Sequence, residues 1–437
     1  MKFSILFFIC LIVNPSSHSQ VLNGPMIGHV TFNEVNLWVQ TAKSQKVGFA
    51  YKIASPSVKQ WNFTATEITN SANAFVYKTT LANLVQGATY TYRVVIDGKI
   101  QESRGVQQFT TQQQWAYRTN PKDFSFALGS CTYVNEEQTD RLNQVYGGDY
   151  QIFNQIAPHT PSFMLWLGDN IYLRESDWSS KSGLQYRYTH TRNIAEMQTL
   201  LANVPQYAIW DDHDFGPNNS DGSFINKKLS KEAFDLFWAN PTTQPEGVSG
   251  ITNLFDWEDC QFFLLDNRYN RTPNERKDGQ RTILGREQLD WFKNALLNSS
   301  ASFKFVALGG QFLNTAPVFE NYSANGFAQE RQEIIDFIYL HQIKNVVFLT
   351  GDRHHSELSV LQQEGQPTIY DLTVSPLTSG VHDASIEANT LRVKGSHIAK
   401  RNYGVIHIKG MHKSRELQIN LHDSNGELLW SQSVFEE

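Results

Sequence analysis

The sequence predicts an α/β protein preceded by a small all-β domain of immunoglobulin or fibronectin type III character. Residues 21–112 alternate apolar and polar side chains with almost no helical period. From residue 122 onward, short apolar runs end in polar residues and alternate with helical stretches, as in a sheet that gathers ligands at the carboxyl ends of its strands. A polar link from Gln112 to Lys122 separates the two regions. With 437 residues, 40% of them hydrophobic, the chain is long enough for two domains and a large core.

At the N-terminus, Lys2 precedes the apolar stretch Phe3 to Val13, and the polar segment Pro15 to Gln20 follows. That order reads as a signal peptide over 1–20, and so as a secreted or periplasmic protein. The stretch falls short of the roughly 20 apolar residues that a membrane helix needs, and no later window reaches that length. Cleavage would remove Cys10 and leave Cys131 and Cys260, enough for one disulfide but not for a disulfide scaffold. Lys and Arg number 37 against 43 Asp and Glu, a formal net charge of −6, so no polyanion-binding surface of the nucleic-acid type is expected. Without a heptad pattern or internal repeat, the expected state is a monomer.

In the all-β region, Val35 to Gln40, Val47 to Ile53 and Thr89 to Val95 read as strands, and Asp97-Gly98 as a hairpin turn. In the second region, Phe124 to Leu128 leads into Gly129-Ser130-Cys131, and Phe163 to Leu167 into Gly168-Asp169-Asn170. Tyr207 to Trp210 leads into Asp211-Asp212-His213-Asp214, Phe303 to Leu308 into Gly309-Gly310-Gln311, and Val346 to Thr350 into Gly351-Asp352-Arg353-His354-His355. Glu258 to Leu265, around Cys260, reads as a central strand. Tyr403 to Val434 reads as three strands closing a second sheet, with turns near Lys413-Ser414 and Ser424-Asn425-Gly426. The segment Arg174 to Arg192, rich in aromatic and cationic residues, fits either a wall over a substrate or a helix packed on the sheet.

These strand ends collect Cys131, Asp169, Tyr172, Asp211, Asp212, His213, Asn218, Asn219, Asp352 and His354, a set of donors that is costly to gather without cations. A carboxylate shared by two ions holds them close enough to stabilise an in-line displacement at phosphorus, and Asp169 is the natural bridge. Thiolate and phenolate ligands from Cys131 and Tyr172 favour a strongly Lewis-acidic trivalent ion such as Fe(III). Oxygen ligands from Asp211 or Asp212 and Asn218 suit a harder divalent ion such as Ca(II), Mg(II) or Mn(II). Arg353, Arg268 and Arg271 are candidate forked donors for phosphate.

The order Gly129-Ser130-Cys131, Gly168-Asp169-Asn170-Ile171-Tyr172, Trp210-Asp211-Asp212-His213-Asp214 and Gly351-Asp352-Arg353-His354 resembles the alkaline phosphatase D family of calcineurin-like metallophosphoesterases. Leu265 to Tyr269, Leu284 to Trp291, Gly310-Gln311 and Val374 to Leu377 are similar as well, so the resemblance runs from about residue 24 to 434. It implies a calcineurin-like sandwich of two sheets flanked by helices over 122–437, behind a β-domain over 21–112. It also implies Fe(III) on Cys131, Asp169 and Tyr172, completed by Asp352 or His354, and Ca(II) on Asp169, one of Asp211 and Asp212, Asn218 and Asp352, with zinc a further alternative. His213 is then the candidate to stabilise charge or protonate the leaving oxygen, with Arg353 and His355 as further catalytic candidates and Asn170 and Arg268 as substrate contacts. Asn170 departs from the commonest family pattern, which has tyrosine there.

The expected function is hydrolysis of phosphate esters by a metal-activated hydroxide, without a covalent intermediate. A phospholipase-like or nucleotide-pyrophosphate hydrolase would use the same metal centre, and a secreted binding protein with structural metals is the non-enzymatic alternative. No Gly-x-Ser-x-Gly elbow, His-Glu-x-x-His helix or phosphate loop competes with this reading.

Overall fold

The computed structural model describes residues 20–103, 105–142, 145–318, 321–323 and 326–437. The expected signal peptide lies outside the described residues, apart from Gln20. Strands Val21–Val30, Val35–Thr41 and Val76–Leu81 form one antiparallel sheet, and Lys46–Ile53 and Thr89–Ile96 centre a second. Asp97 and Gly98, at φ 49° and 77°, turn the chain from Ile96 to its partner Lys99.

The larger region is built on two six-stranded sheets. In the first, Gln206–Ile209, Met164–Leu167 and Phe124–Gly129 run parallel, and Asn402–Lys409, Glu416–Asp423 and Leu428–Phe435 continue it antiparallel. The three C-terminal strands therefore extend the first sheet; they do not close the second. The reason is register: Phe124 to Leu128 pair with Ile408 to Gly404, so the returning chain covers the edge that the parallel strands leave open.

In the second sheet, Cys260–Leu264, Lys304–Leu308, Val346–Thr350 and Ile369–Thr373 run parallel between the antiparallel edges Asn253–Trp257 and Glu357–Leu361. Phe126 of the first sheet meets Phe262 and Phe305 of the second edge to face, each with ring centroids 5.2 Å apart, so the inner faces close on an aromatic core. Helices Arg286–Leu297 and Ala328–Leu340 supply apolar faces to the outer side of the second sheet.

The N-terminal sheets seat directly on this body. Trp38 Nε1 donates to the Leu236 carbonyl at 2.9 Å and Tyr92 OH to that of Ala202 at 2.8 Å. Gly28 lies so close to Ala239 that a Cβ would come within 2.2 Å of its carbonyl oxygen, so this contact requires glycine. The guanidinium of Arg192 is enclosed by Trp38, Tyr188, Phe237 and Trp238, 4.2 Å from the Trp238 ring centroid, and donates to Phe237 O at 2.6 Å. Arg192 ends the helix Lys181–Arg192, so the later part of the aromatic and cationic segment is a packed helix, with Leu184, Arg187 and Tyr188 buried, while residues 174–180 form loop and turn.

Candidate metal centre

Three parallel strands of the first sheet and one of the second end at a common point. Cys131 N donates to Gly168 O at 3.2 Å, Thr132 N to Asp169 O at 2.7 Å, and Leu377 N to Ser130 O at 2.8 Å, which ties neighbouring strand ends together. Four candidate ligands leave their strands in the left-handed region: Cys131, Asp169, Asp352 and His354 have φ of 61°, 52°, 67° and 56°. Side chains with a Cβ rarely adopt that region, and such strain gathers where the surrounding structure forces a side chain into a site.

The side chains converge in overlapping groups. Donor atoms of Cys131, Asp169 and His354 lie within 4.8 Å of one another, as do those of Asp169, Asp212 and His213, and those of Asp211, Asp212 and Asp352. Asp169 belongs to the first two groups and Asp212 links the second to the third. Tyr172 completes the first, with its hydroxyl 3.1 Å from His354 Nε2 and its ring 4.2 Å from that of His213. Ser375 Oγ donates to Cys131 Sγ at 3.2 Å and accepts from His354 N at 3.0 Å.

The electrostatics are those of a site that wants positive charge. Burial, then the carboxylates of Asp212, Asp211 and Asp352, pushes Asp169 well above the usual carboxylate range. Burial, then Asp169, pushes the Cys131 thiol and the Tyr172 phenol up in the same way. Burial, then His213, lowers His354 to about 4, so its ring is neutral and able to ligate. Asp212 is held below its ordinary range because His213, Arg268 and the N–H groups of Asn219 and His213 outweigh its burial. Asp211 Oδ2 is buried with no hydrogen-bond partner among the described residues. A thiol, a phenol, an imidazole and four carboxylates around such an atom fit bound metal ions.

The structure distributes the other expected residues differently. Asn218 is exposed; it is Asn219, at φ 62°, whose N–H reaches Asp212 Oδ2 at 2.5 Å. The left-handed turn at Asn219 aims its backbone N–H at the Asp212 carboxylate. Asn170, expected to touch substrate, is buried, and its amide donates to Ile209 O at 2.7 Å. Its N–H meets Asp214 Oδ1 at 3.1 Å, and the same carboxylate accepts from Asp211 N, so Asp214 braces two ligand loops. Burial pushes Asp214 up to about 8.

His355 is also withdrawn: fully buried, it sets Nδ1 2.9 Å from Arg353 O and Nε2 3.7 Å from Glu357 Oε2. Arg353 pairs with Glu387 at 2.6 Å. Arg268 does reach the acidic group, bonding Asp211 Oδ1 and standing 3.8 Å from Asp212 Oδ1. Arg271 lies over the Phe327 ring. Neither Cys131 nor Cys260 is in a disulfide. Sequence reasoning gave no role to Ser375, Asn267 or Tyr146. Ser375 stands just beyond the strand Ile369–Thr373, a strand end that the sequence reading did not single out; Tyr146 lies in a stretch without periodicity and carried no such signal.

A family model described as PhoD-like phosphatase matches residues 126–418, and one described as a domain of unknown function (DUF7800) matches residues 18–114. Alkaline phosphatase D of Bacillus subtilis (strain 168) is 28% identical over 323 residues, 62% of this chain and 53% of that protein. The chain thus spans about half the length of the curated relative it matches. The structure of PhoD matches at TM-score 0.77 and 18% identity, covering 96% of this chain and 93% of that one. Purple acid phosphatase PPD1 from yellow lupin (Lupinus luteus) seeds matches at TM-score 0.69 and 12% identity, covering 94% and 74%. The two-sheet architecture is the fold of these two structures.

Proposed function

Because this chain belongs to the PhoD-like phosphatase family, we propose that it is a metal-dependent phosphoesterase whose two metal sites share Asp169. The observation that carries the reading is the place of that carboxylate, within 4.8 Å of donor atoms of both the Cys131–His354 pair and the Asp212–His213 pair. Cys131, Asp169, Tyr172 and His354 would hold an Fe(III) ion. Asp169, Asp212 and Asp352, with Asp211 beside them, would hold a divalent ion such as Ca(II). Bound there, the ions supply Lewis acidity that neutralises phosphoryl oxygens and lowers the pKa of an attacking water.

The protein's own side chains do the rest. Arg268 holds Asp211 in place from the side, and Asn267 Nδ2 donates to the same carboxylate oxygen at 2.7 Å. His213 is partly exposed, with its N–H 3.0 Å from Asp212 Oδ1 and its ring resting over Tyr172. That position lets the imidazole donate a proton to a departing ester oxygen. Arg353, braced by Glu387, is the candidate phosphate contact. The chain is exported by its N-terminal signal; among the described residues no helix is long and apolar enough to cross a membrane.

Elemental analysis of the native protein, paired with hydrolysis of a chromogenic phosphomonoester and its matching diester before and after chelation, tests the proposal. Bound iron with a divalent ion, and hydrolysis that chelation abolishes and metal restores, is the expected result. Full hydrolysis by a verified metal-free sample would overturn the mechanism.

A further inference from the structure

His354 offers two ring nitrogens, and they face different surroundings. Nε2 turns to the hydroxyl of Tyr172, itself a candidate ligand, at 3.1 Å and to Ser379 Oγ at 3.4 Å, and a ring nitrogen of His354 lies within 4.8 Å of donor atoms of Cys131 and Asp169. Nδ1 faces the hydroxyl of Tyr146 at 3.1 Å. The backbone of His354 is already fixed, its N–H on Ser375 Oγ and its carbonyl accepting from His382 N at 2.9 Å. What that leaves open is rotation of the ring and the choice of which nitrogen carries the proton.

We infer that Tyr146 is a positioning residue that fixes the orientation and tautomer of His354, so that Nε2 is presented to a metal ion. This rests on the reading above that His354 is a ligand. A neutral imidazole ligates through one nitrogen while the other carries its proton, and the partner of that second nitrogen sets the ring's direction and basicity. The phenol oxygen of Tyr146 can accept the Nδ1–H.

Tyr146 is 41% exposed, so its hydroxyl could be hydrated, yet it is turned inward and held there. Gly148 N donates to Thr378 O at 2.7 Å. Arg401 Nε bonds the carbonyls of Thr378 at 3.1 Å and Ser379 at 2.9 Å, while Nη2 meets Tyr146 O at 3.4 Å. The ring stands edge-on to Tyr133 at 4.8 Å and lies over Gly380, where a Cβ would come within 2.8 Å of Tyr146 Cε2. A loop more than 200 residues away in sequence is thus clamped where one hydroxyl meets one nitrogen.

The test uses Co(II) as probe, added to the metal-free full-length protein and followed through the thiolate-to-cobalt absorption of Cys131, which reports this ligand group alone. Tyr146→Phe keeps the ring packing and removes the hydroxyl; Gly380→Ala keeps the hydroxyl and displaces the ring. Both are expected to fold with wild-type circular dichroism, to weaken Co(II) binding about 10- to 100-fold and to alter the cobalt spectrum. His354→Ala is expected to weaken binding further. Wild-type affinity and spectrum in both Tyr146→Phe and Gly380→Ala, with binding impaired in His354→Ala, would overturn the role of Tyr146 alone. Unchanged binding in His354→Ala would overturn it together with the assignment of His354 as a ligand.

Discussion

Arg268 donates its Nε–H to Asp211 Oδ1, and that oxygen also accepts from Asn267 Nδ2 at 2.7 Å. Both partners of the ion pair are buried. Removing one partner of such a pair strands a charge, at a cost of about 3–5 kcal/mol. Arg268→Gln is therefore expected to lower the unfolding free energy of the metal-free protein by that amount, and Arg268→Gln with Asp211→Asn to recover most of it. Urea unfolding of the two variants checks this; a single variant as stable as wild type would show that the pair contributes nothing to folding.

Asp169→Asn keeps the shape of the side chain and removes the shared charge. On the proposed reading, in which Asp169 would bridge two ions and contribute several kcal/mol in the transition state, its loss is expected to lower kcat/KM by roughly 1,000-fold and to reduce bound metal. Steady-state kinetics with elemental analysis of the same sample would separate a lost metal from a misfolded protein.

The same substitution should act oppositely on stability. Because burial and the neighbouring carboxylates raise Asp169, the folded state binds its proton more tightly than the unfolded chain, so metal-free stability falls as pH rises above the ordinary carboxylate pKa of about 4. At neutral pH, metal-free Asp169→Asn is expected to melt above metal-free wild type, and metal to raise the wild-type Tm. Scanning calorimetry with and without metal reads both; a metal-free variant that melts below wild type would contradict the anionic crowding.

Glu136 shows the reverse sign. Burial raises it, but hydrogen bonds from Tyr186, Thr139 and Arg187 outweigh burial and hold it down to about 2. Its contribution is present above the unfolded pKa of about 4.3 and is lost as pH falls through the folded value. The stability difference between wild type and Glu136→Gln should therefore be constant from pH 7 to about 5 and shrink towards pH 2. Arg187 also holds Asp177, which accepts from Arg174 N, and Arg174 bonds the Tyr172 carbonyl, so the variant should loosen a candidate ligand as well.

Ser375→Ala removes a hydroxyl that bonds both Cys131 Sγ and His354 N. A buried hydrogen-bond loss of about 1–3 kcal/mol is expected in unfolding, with faster release of metal to a chelator. Release at the wild-type rate would mean that this hydroxyl braces the backbone only.

The sequence by itself determined the strand ends. A single Gly-Asp after an apolar run says little, but the succession of such ends in one chain marked Cys131, Asp169, Asp211 or Asp212, Asp352 and His354 as candidate ligands, and the structure brings their donor atoms together. The all-β region was equally plain, because alternation along a strand depends on the strand's own residues. Tertiary structure alone decided which neighbours those ligands meet. The left-handed turn at Asn219 brings its N–H to Asp212 and leaves Asn218 exposed, and a one-residue change of direction of that kind leaves no trace in composition. His355 adjoins His354 in sequence, yet one ring reaches the ligand group while the other is buried against Glu357. The C-terminal strands joined the first sheet, Arg268 met Asp211, and Tyr146 reached His354, all through contacts between distant parts of the chain. Local periodicity fixes what a segment becomes; packing of whole sheets fixes what it touches.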